Sequence, residues 1–425
     1  MNHNRTNKGK KTVTEVWRKS GYKLYDGYIN LVVSPVGSGK TYFIFNEILK
    51  EKNLNKVVYL CDTSNLKEAT IRDKVYSESV KIYDTFDSEN LGAEIGFGKS
   101  IRSYGRLVTV MTYAQFAKLL KKDPECYSDI DTFICDEAHN LIKYMQRYDD
   151  HENKTYGSVL KYLLTVKSEK SVVMLTATHE RIEKNYEIKG EDLMIFRLDQ
   201  HSDIKRLSEK RICKFNGYQS ISQYLKAYDG FKYGKKAVVY TDRIATIENL
   251  ISTCEKNGLK AVGIWSLKNE NHTMSGEALV TRESIISEGI IPDGINVLII
   301  NASYETGINI YDKNIEIVIV NSTDPDTQIQ ARGRVRKDIE MLLIKSSTGK
   351  EQCGLRLDEK WLNRALTKED KKELANELEL KRNGKLLKWT SISEILRDNG
   401  YLITATKPTI NGERVNCHII TWGMS

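Results

Sequence analysis

The stretch that decides the fold is I-N-L-V-V over residues 29–33, followed directly by S-P-V-G-S-G-K-T over residues 34–41. A helical pattern then runs from Tyr42 to Leu49. A strand, a glycine-rich loop and a helix in this order form a phosphate cradle, because the glycines turn backbone N–H groups toward phosphate oxygens and the helix N-terminus adds a favourable dipole. The pattern predicts that Lys40 reaches the β- and γ-phosphates and that the Thr41 hydroxyl is a Mg²⁺ ligand.

A second motif, D-E-A-H over residues 136–139, closes another apolar run from Ile130 to Cys135. This position at a strand end allows Asp136 to hold a metal ion and Glu137 to polarise an attacking water. Each motif has a simpler interpretation: a glycine-rich loop can be only a turn, and an acidic pair can cap a helix. Ser34 also stands where the general loop motif has its first glycine. The two motifs together, in this order and each after a strand, predict a nucleotide-hydrolysing enzyme.

Three shorter motifs follow: T-A-T over 176–178, G-I-N over 307–309 and Q-A-R-G-R over 330–334. The series resembles the superfamily 2 helicases and translocases, specifically their DEAH-like branch, over about residues 25–347. The resemblance implies an α/β fold with two tandem RecA-like parallel-sheet domains that clamp ATP between them and grip a nucleic-acid strand. It implies ATP and Mg²⁺ as the bound cofactors.

The resemblance also assigns roles to individual residues. Nucleotide binding falls to Val36, Gly37, Ser38, Gly39, Lys40, Thr41, Gly307 and Asn309. The chemistry falls to Lys40, Asp136, Glu137, His139, Gln330, Arg334 and Arg336. Metal binding falls to Thr41 and Asp136. Contacts with nucleic acid fall to Thr63, Thr112, Thr178 and Ser303.

The arginine motif departs from the family pattern Q-x-x-G-R-x-x-R at its last position, which is Lys337 here, with Arg336 one place earlier. An arginine presented across the cleft stabilises charge on the transferring phosphoryl group, and Arg334 is the expected finger. Lysine lacks the planar fork of arginine, so Arg336 is preferred as the second finger. The alternative is a basic helix face that contacts solvent or nucleic acid.

Three further departures from the family pattern concern the fifth motif and the recognition of the nucleotide. Asn301 replaces the threonine that usually opens the fifth motif, and Asn309 stands where many members carry an aspartate toward the ribose. No glutamine precedes Gln115, so the adenine-reading motif of the DEAD-box enzymes is absent. The selectivity for ATP over other nucleotides therefore stays open.

Strand and helix patterns alternate from Tyr28 and again from Ala237, which indicates βαβ units and largely parallel sheets. We expect a basic N-terminal tail over 1–24, a first RecA-like domain over 25–202, a second over 203–350 and an accessory domain over 351–425. Residues 76–105 are glycine-rich and irregular, and we expect an insertion or long loop there.

The C-terminal segment predicts a small winged-helix-like domain. Its helices are expected over 369–380 and 391–399, and a hairpin over 401–422 turns at Asn411-Gly412. Residues 381–425 carry seven Lys or Arg against three acids. A DNA-binding accessory domain and a small domain that packs on the motor or on a protein partner both fit these features.

The formal net charge of +8 and the pI of about 8.8 suit a polyanionic partner, although a charge of this size is modest for 425 residues. The seven cysteines occur singly, which argues against a zinc site and for a reducing compartment with buried, inert thiols. The absence of an apolar run near ~18 residues and of a signal core indicates a cytoplasmic protein with no membrane partner, in a bacterial cell or an infected host.

The motifs together predict an ATP-dependent helicase or translocase of a phage or mobile element, with DNA favoured over RNA. A nucleotide-switched clamp that does not separate strands is the main alternative. A P-loop enzyme acting on a small molecule is the third.

Overall fold

The computed structural model describes residues 10–51, 56–73, 76, 79–81, 99–125, 127–267, 269, 271–304, 308–347, 352–355, 357–378, 381–382, 385–398, 401–410 and 412–422. Within this part of the chain, every helix is too short or too polar to cross a membrane.

The first half of the chain builds an eight-stranded sheet. Its strands are β1 Ile29–Val33, β2 Lys56–Cys61, β3 Ser79–Lys81, β4 Lys99–Ser103, β5 Arg106–Thr112, β6 Thr132–Cys135, β7 Ser171–Thr176 and β8 Leu193–Arg197. Their spatial order is β3-β4-β5-β2-β6-β7-β1-β8, and all pairs are parallel except β3–β4 and β4–β5. Strands β1, β6 and β7 are buried along their whole length, as expected for a parallel sheet covered on both faces.

Helices pack on both faces of this sheet. They are α1 Val13–Ser20, α2 Lys40–Phe43 with a π-helical turn Ile44–Ile48 and α3 Leu49–Glu51, α4 Ser64–Arg72, α5 Tyr113–Lys122, α6 His139–Tyr148, α7 Thr155–Val166 and α8 Glu180–Glu183. Alternate residues of a strand point to opposite faces, so Leu31 and Val33 belong to one core cluster and Val32 to the other.

The N-terminal segment differs from the expected basic tail. From Val13 the chain is a helix that begins with a capping box between Thr12 and Glu15, and its Trp17 is buried against Phe43 with ring centroids 5.1 Å apart. The prediction is wrong for this helix because the excess of basic residues over 1–24 does not show that Val13, Val16 and Trp17 recur on one buried face. Residues 1–9 of the predicted tail lie outside the described residues.

The segment expected to be an irregular insertion contributes two strands instead. β3 and β4 extend the parallel sheet in the antiparallel sense, and the Ser100 and Thr109 hydroxyls lie 2.9 Å apart across β4 and β5. The short strands and nearby glycines masked the period-two pattern in the sequence. Residues 82–98 of this segment lie outside the described residues.

The second half builds a seven-stranded sheet. Its strands are β9 Glu209–Phe215, β10 Lys236–Thr241, β11 Ala261–Ile264, β12 Val297–Ile300, β13 Ile315–Asn321, β14 Ile339–Lys345 and β15 Gln352–Leu355. Their order is β11-β12-β10-β13-β14-β9-β15, with only β15 antiparallel to its neighbour. The helices of this half are α9 Tyr218–Ala227, α10 Ile244–Lys256, α11 Gly276–Glu288 and α12 Pro325–Gly333. The predicted α/β architecture with two parallel-dominated sheets is confirmed.

Cysteine usage differs from the expectation at one position. Cys61, Cys135, Cys254 and Cys417 are free and buried, as expected for inert thiols. Cys213 is disulfide-bonded, and the ladder between β9 and β15 places it opposite Cys353. Two cysteines 140 residues apart in sequence share a ladder position only because β15 returns to the sheet edge, which single scattered cysteines could not reveal.

The C-terminal segment contains a small three-stranded antiparallel sheet in the order β16-β22-β19. Its strands are β16 Ala365–Leu366, β19 Tyr401–Thr406 and β22 Cys417–Trp422, with the short pairs β17 Lys381–Arg382 with β18 Lys385–Leu386 and β20 Thr409–Ile410 with β21 Glu413–Arg414. Two helices, α13 Lys368–Leu378 and α14 Trp389–Asp398, bury Leu374, Ile392 and Leu396 against this sheet in a core of their own. Of the predicted hairpin turn, Gly412 has a φ of 86° and Asn411 lies outside the described residues.

Short 3₁₀ turns complete the described elements. They are Gly190–Asp192, Leu198–Gln200, Asp229–Tyr233, Ala302–Tyr304 and Glu359–Trp361.

Candidate nucleotide-hydrolysis site between the two sheets

The glycine-rich loop leaves the carboxyl end of β1 and ends where α2 begins at Lys40. Gly37 and Gly39 have φ values of 78° and 97°, in the left-handed region that favours glycine. The Ser38 hydroxyl donates to the Pro35 carbonyl at 2.6 Å, which closes the loop on itself. The loop therefore has the backbone conformation that a phosphate cradle requires.

The Lys40 side chain is only 9% exposed, and its ammonium has no hydrogen-bond or ion-pair partner among the described residues. Burial lowers the pKa of the Lys40 ammonium, and the carboxylates of Glu137 and Asp136 oppose that shift. A buried cation without a direct acceptor, beside a glycine-rich loop at a helix N-terminus, fits the phosphates of a nucleotide.

Asp136 follows β6 and is held in place by the neighbouring strand. The Tyr59 hydroxyl on β2 donates to the Asp136 carboxylate at 2.5 Å, and the Glu137 backbone N–H donates to it at 3.0 Å. Burial and the adjacent charge of Glu137 raise the pKa of Asp136. An oriented carboxylate that is costly to ionise without a nearby cation fits a Mg²⁺ ligand, and the Thr41 hydroxyl at the start of α2 is the other predicted ligand.

Glu137 has a φ of 47°, an uncommon conformation for a residue with a side chain, and its carboxylate is turned toward the second sheet. The Gln330 amide donates to this carboxylate at 2.9 Å, and the Arg334 guanidinium lies 3.9 Å from it. Burial alone would raise the pKa of Glu137, but Lys40, His139 and Arg334 outweigh it and lower the pKa. Glu137 is therefore an ionised carboxylate able to accept a proton from water.

His139 connects this acidic pair to the T-A-T motif. Its Nδ1 lies 3.1 Å from the Thr176 hydroxyl, and that hydroxyl donates to the Thr178 carbonyl at 2.8 Å. The Thr178 hydroxyl itself is buried without a hydrogen-bond partner among the described residues. His139 thus occupies a position that links the D-E-A-H segment to β7.

The second sheet supplies the arginines. Arg334 follows α12 and donates to the side-chain oxygen of Gln330 at 3.0 Å and to the Ile308 carbonyl at 3.3 Å. Arg336 extends further: its Nη1 lies 3.6 Å from the point where a Cβ on Gly37 would sit. Burial, and then the like charge of Arg334, lower the pKa of Arg336 to about 10. Both arginines face the first sheet, and Arg336 reaches the glycine-rich loop itself.

Lys337 points away from the loop. Its ammonium donates to the backbone carbonyls of Lys313 and Ile315 at 2.7 and 2.8 Å. The choice of Arg336 over Lys337 as the second finger therefore has geometric support, although it stays a prediction.

The two halves also touch through apolar atoms. Gly333, at the end of α12, packs so closely on Val36 of the loop that a Cβ there would lie 2.1 Å from a Val36 methyl group. Leu207, between the two sheets, covers Gly37, with its side chain 3.3 Å from a Cβ on that glycine. These contacts place the loop directly under the end of α12.

Other predicted residues have local roles in the structure. Asn309 accepts a hydrogen bond from Arg336 at 2.5 Å, and Gly307 lies outside the described residues. Thr63 and Thr112 are the N-caps of α4 and α5, with their hydroxyls accepting from Leu66 and Gln115 backbone N–H groups, and Ser303 lies in a 3₁₀ turn after β12. Their assignment to nucleic acid stays a prediction.

The motifs gave no indication of the residues that hold the acidic pair. Tyr59 and Tyr113 are fully buried, and the Tyr113 hydroxyl donates to the Asp136 carbonyl at 3.0 Å. A tyrosine inside a largely apolar strand, as Tyr59 is in β2, is a usable signal, because a buried phenol hydroxyl needs a polar partner.

Residues 9–181 match the family model described as "Type III restriction enzyme, res subunit". No curated protein sequence matches the chain.

Several solved structures resemble the chain at low identity. One is S. cerevisiae Dbp5 bound to RNA and ADP BeF3, with 15% identity and a TM-score of 0.48, covering 75% of this chain and 79% of that one. Mycobacterium smegmatis helicase Lhr bound to ssDNA and AMP-PNP has 15% identity and a TM-score of 0.48, covering 81% of this chain but only 48% of Lhr. Mss116p bound to ssRNA and AMP-PNP has 14% identity and a TM-score of 0.46, covering 88% and 74%.

Two parallel-dominated sheets that meet at a phosphate loop, an acidic pair and two arginines define a P-loop NTPase with tandem RecA-like domains. The family match over residues 9–181 covers the part of this enzyme that holds the phosphate loop, the D-E-A-H segment and the T-A-T motif.

Proposed function

We propose that this protein is an ATP-dependent helicase or translocase that moves on nucleic acid, with DNA favoured over RNA. The observation that carries the proposal is the contact between the two halves. The Gln330 amide donates a hydrogen bond to the Glu137 carboxylate at 2.9 Å, and the Arg334 guanidinium donates to the Gln330 side-chain oxygen at 3.0 Å. Hydrolysis that needs groups from both sheets couples the nucleotide to their relative position, which is what a motor requires.

Each residue has a distinct task in this proposal. Lys40 and the loop amides bind the phosphates, Glu137 orients the attacking water and accepts its proton, and Arg336 with Arg334 stabilises charge that develops on the transferred group. Mg²⁺, held by Thr41 and Asp136, would neutralise charge on the phosphates. His139 and Gln330 keep Glu137 in position from the two sides.

Base selectivity is weakly specified, because no glutamine stands in the N-terminal segment to read an adenine. We expect ATP to be the substrate in the cell and other nucleoside triphosphates to be hydrolysed as well. A comparison of ATP with GTP under saturating nucleic acid tests this expectation, and strict ATP dependence would contradict it.

The deciding experiment is steady-state hydrolysis with single-stranded DNA, duplex DNA and RNA, repeated over a range of salt. Phosphate contacts release counterions, so true stimulation should fall steeply as salt rises. Hydrolysis that no nucleic acid stimulates would refute the proposal and favour a P-loop enzyme acting on a small molecule. Stimulation without strand displacement would favour the alternative, an ATP-switched clamp or remodeller.

The C-terminal segment supports nucleic-acid binding as an accessory role. Two helices followed by an antiparallel hairpin, with β22 central in the sheet, suit a winged-helix-like domain over residues 351–425. Lys371 lies 5.5 Å from the Trp389 ring centroid, Trp389 packs on His418 at 5.4 Å, and Arg397 is exposed nearby. Cations beside an aromatic ring suit a phosphate backbone and a stacked base.

The alternative for this domain is a protein partner or packing on the motor. A chain ending at Leu355, after β15, retains every residue proposed to touch ATP. If its DNA affinity and salt dependence equal those of the full chain, the accessory domain does not bind DNA. The remaining assignments, the DEAH-like branch, a phage or mobile-element origin and the boundaries 1–24, 25–202, 203–350 and 351–425, are proposals that rest on the motifs and the compact motor.

A further inference from the structure

A cluster of four charged side chains joins the two halves at a distance from the phosphate loop. Arg181 and Lys143 come from the first half, and Asp324 and Asp326 come from the second. Arg181 bridges both carboxylates: its Nη2 donates to Asp324 at 2.8 Å and its Nε donates to Asp326. Lys143 lies 3.2 Å from Asp324 and donates to the Thr327 hydroxyl at 3.0 Å.

Each of the two cations follows a predicted site motif closely in the chain. Lys143 is on α6, the helix that begins at His139, and Arg181 is on α8, which follows the T-A-T motif. The His139 contact with Thr176 links the first residue of α6 to the last residue of β7, the strand that precedes α8. The positions of Lys143 and Arg181 are therefore tied to the position of Glu137.

The two carboxylates stand at the start of the helix that carries the opposing groups. Asp324 is the N-cap of α12 and also accepts from the Thr327 hydroxyl at 3.1 Å. Gln330 lies on the same helix and Arg334 directly follows it. At 1.5 Å per residue, about 9 Å of helix separate Asp324 from Gln330. Ion pairs that fix the first turn of α12 therefore also fix the position of Gln330 near its other end.

These ion pairs are less exposed than ordinary surface pairs. The Asp326 and Lys143 side chains are 12% and 16% exposed, so removal of one partner would leave a charge that water screens poorly. Burial alone would raise the pKa of Asp324, but the charges of Lys143 and Arg181, with the hydrogen bonds that Asp324 accepts, together outweigh it and lower the pKa. This carboxylate is therefore ionised in the cluster. No residue of the cluster belongs to the predicted catalytic or nucleotide-binding set.

We propose that Arg181 and Lys143 are positioning residues for hydrolysis: by binding Asp324 and Asp326 they fix α12 so that Gln330 and Arg334 meet Glu137. The proposal rests on the proposed hydrolysis between the two sheets. It adds that the alignment of the arginine helix depends on a second contact, about two helical turns away from the phosphate-facing groups.

The test measures kcat and KM for ATP with saturating single-stranded DNA in the full-length protein. Arg181→Ala should lower kcat by about tenfold or more, equivalent to about 1.4 kcal/mol of barrier, and should leave KM nearly unchanged because Lys40 and the loop are untouched. Arg181→Lys keeps the charge but loses the guanidinium fork that spans two carboxylates. Its kcat should therefore lie between those of the wild type and Arg181→Ala.

The matched control is Lys184→Ala, at the residue that directly follows the same short helix. Among the described residues, Lys184 forms an ion pair with Glu180 alone, at 2.7 Å. Both side chains are more than 70% exposed, so this variant should hydrolyse like the wild type. The specific test is the charge swap. Asp326→Arg should lower kcat at least as far as Arg181→Ala, and Arg181→Glu combined with Asp326→Arg should recover most of the loss.

The outcomes separate clearly. Equal kcat values for Arg181→Ala and Lys184→Ala would overturn the proposal. It would also be overturned if Arg181→Glu combined with Asp326→Arg recovered no activity, provided that thermal unfolding shows both single variants to be folded. If the wild type shows no DNA-stimulated hydrolysis, the proposed function fails, and small-angle X-ray scattering then decides this inference alone. A larger radius of gyration for Arg181→Ala than for Lys184→Ala would still support the contact, and identical radii would refute it.

Discussion

The close approach of Gly333 to Val36 makes a quantitative prediction about closure of the cleft. A methyl group added at Gly333 would lie 2.1 Å from the Val36 Cγ1 and 2.9 Å from its Cβ. Ordinary carbon contacts are about 3.5–4.0 Å, so α12 and the loop must separate by roughly 1.5 Å to accommodate the alanine. We therefore expect Gly333→Ala to move Arg334 and Arg336 away from the phosphate loop.

Overpacking of this kind costs about 1–3 kcal/mol, which corresponds to about a 5- to 150-fold fall in kcat if the closed arrangement is the one that reacts. The measurement is steady-state hydrolysis with saturating DNA, together with binding of a fluorescent ATP analogue. Because Val36 moves little and Lys40 is unaffected, binding should change much less than kcat.

Two variants control this experiment. Gly276→Ala adds the same methyl group at the start of α11 in the same half, where nothing lies within 4 Å, so its rate should match the wild type. Val36→Ala should partly restore Gly333→Ala, because it removes the methyl groups at 2.1 and 3.3 Å. A normal rate for Gly333→Ala would show that the two halves do not need this contact for hydrolysis, and the reasoning would be wrong.

Three further predictions test other parts of the site. Glu137→Gln should retain nucleotide binding while hydrolysis falls by ~10²-fold or more, since an amide cannot accept the water's proton; normal turnover would remove Glu137 from the mechanism. Arg336→Ala should abolish most stimulated hydrolysis while Lys337→Ala has a small effect, because only Arg336 reaches the loop; a reversed order measured in the same rate assay would contradict the arrangement. Lys388→Ala with Arg397→Ala should weaken DNA binding and flatten its salt dependence without altering the basal rate, and an unchanged salt slope in a binding titration would point to a protein partner instead.

Local sequence was enough to predict the parts of the site that are themselves local. The strand–loop–helix pattern around Lys40 and the acidic pair after β6 depend on residues that are adjacent in the chain, so their geometry follows from short-range backbone preferences. The α/β architecture followed for the same reason, because buried parallel strands appear as continuous apolar runs. The preference for Arg336 over Lys337 came from side-chain chemistry and has support in the structure.

Segments that were interpreted from their overall composition, such as charge or glycine content, were predicted less well. Helix α1 was hidden in a basic segment, since charge count carries no information about which face of a helix each residue occupies. Strands β3 and β4 were hidden among glycines, because short edge strands gain their stability from the neighbour they pair with rather than from their own propensity.

Contacts between distant parts of the chain were decided by the tertiary structure alone. Nothing in the sequence indicates that Arg181 meets Asp324 and Asp326, or that Gly333 lies on Val36, because such pairs are separated by more than 140 residues and form only when two sheets come together. The motifs determine which chemical groups this protein can bring to a nucleotide. Whether those groups meet depends on packing and charge across the cleft. Such contacts join residues that are far apart in the chain, so they produce no periodic pattern that could be recognised in the sequence.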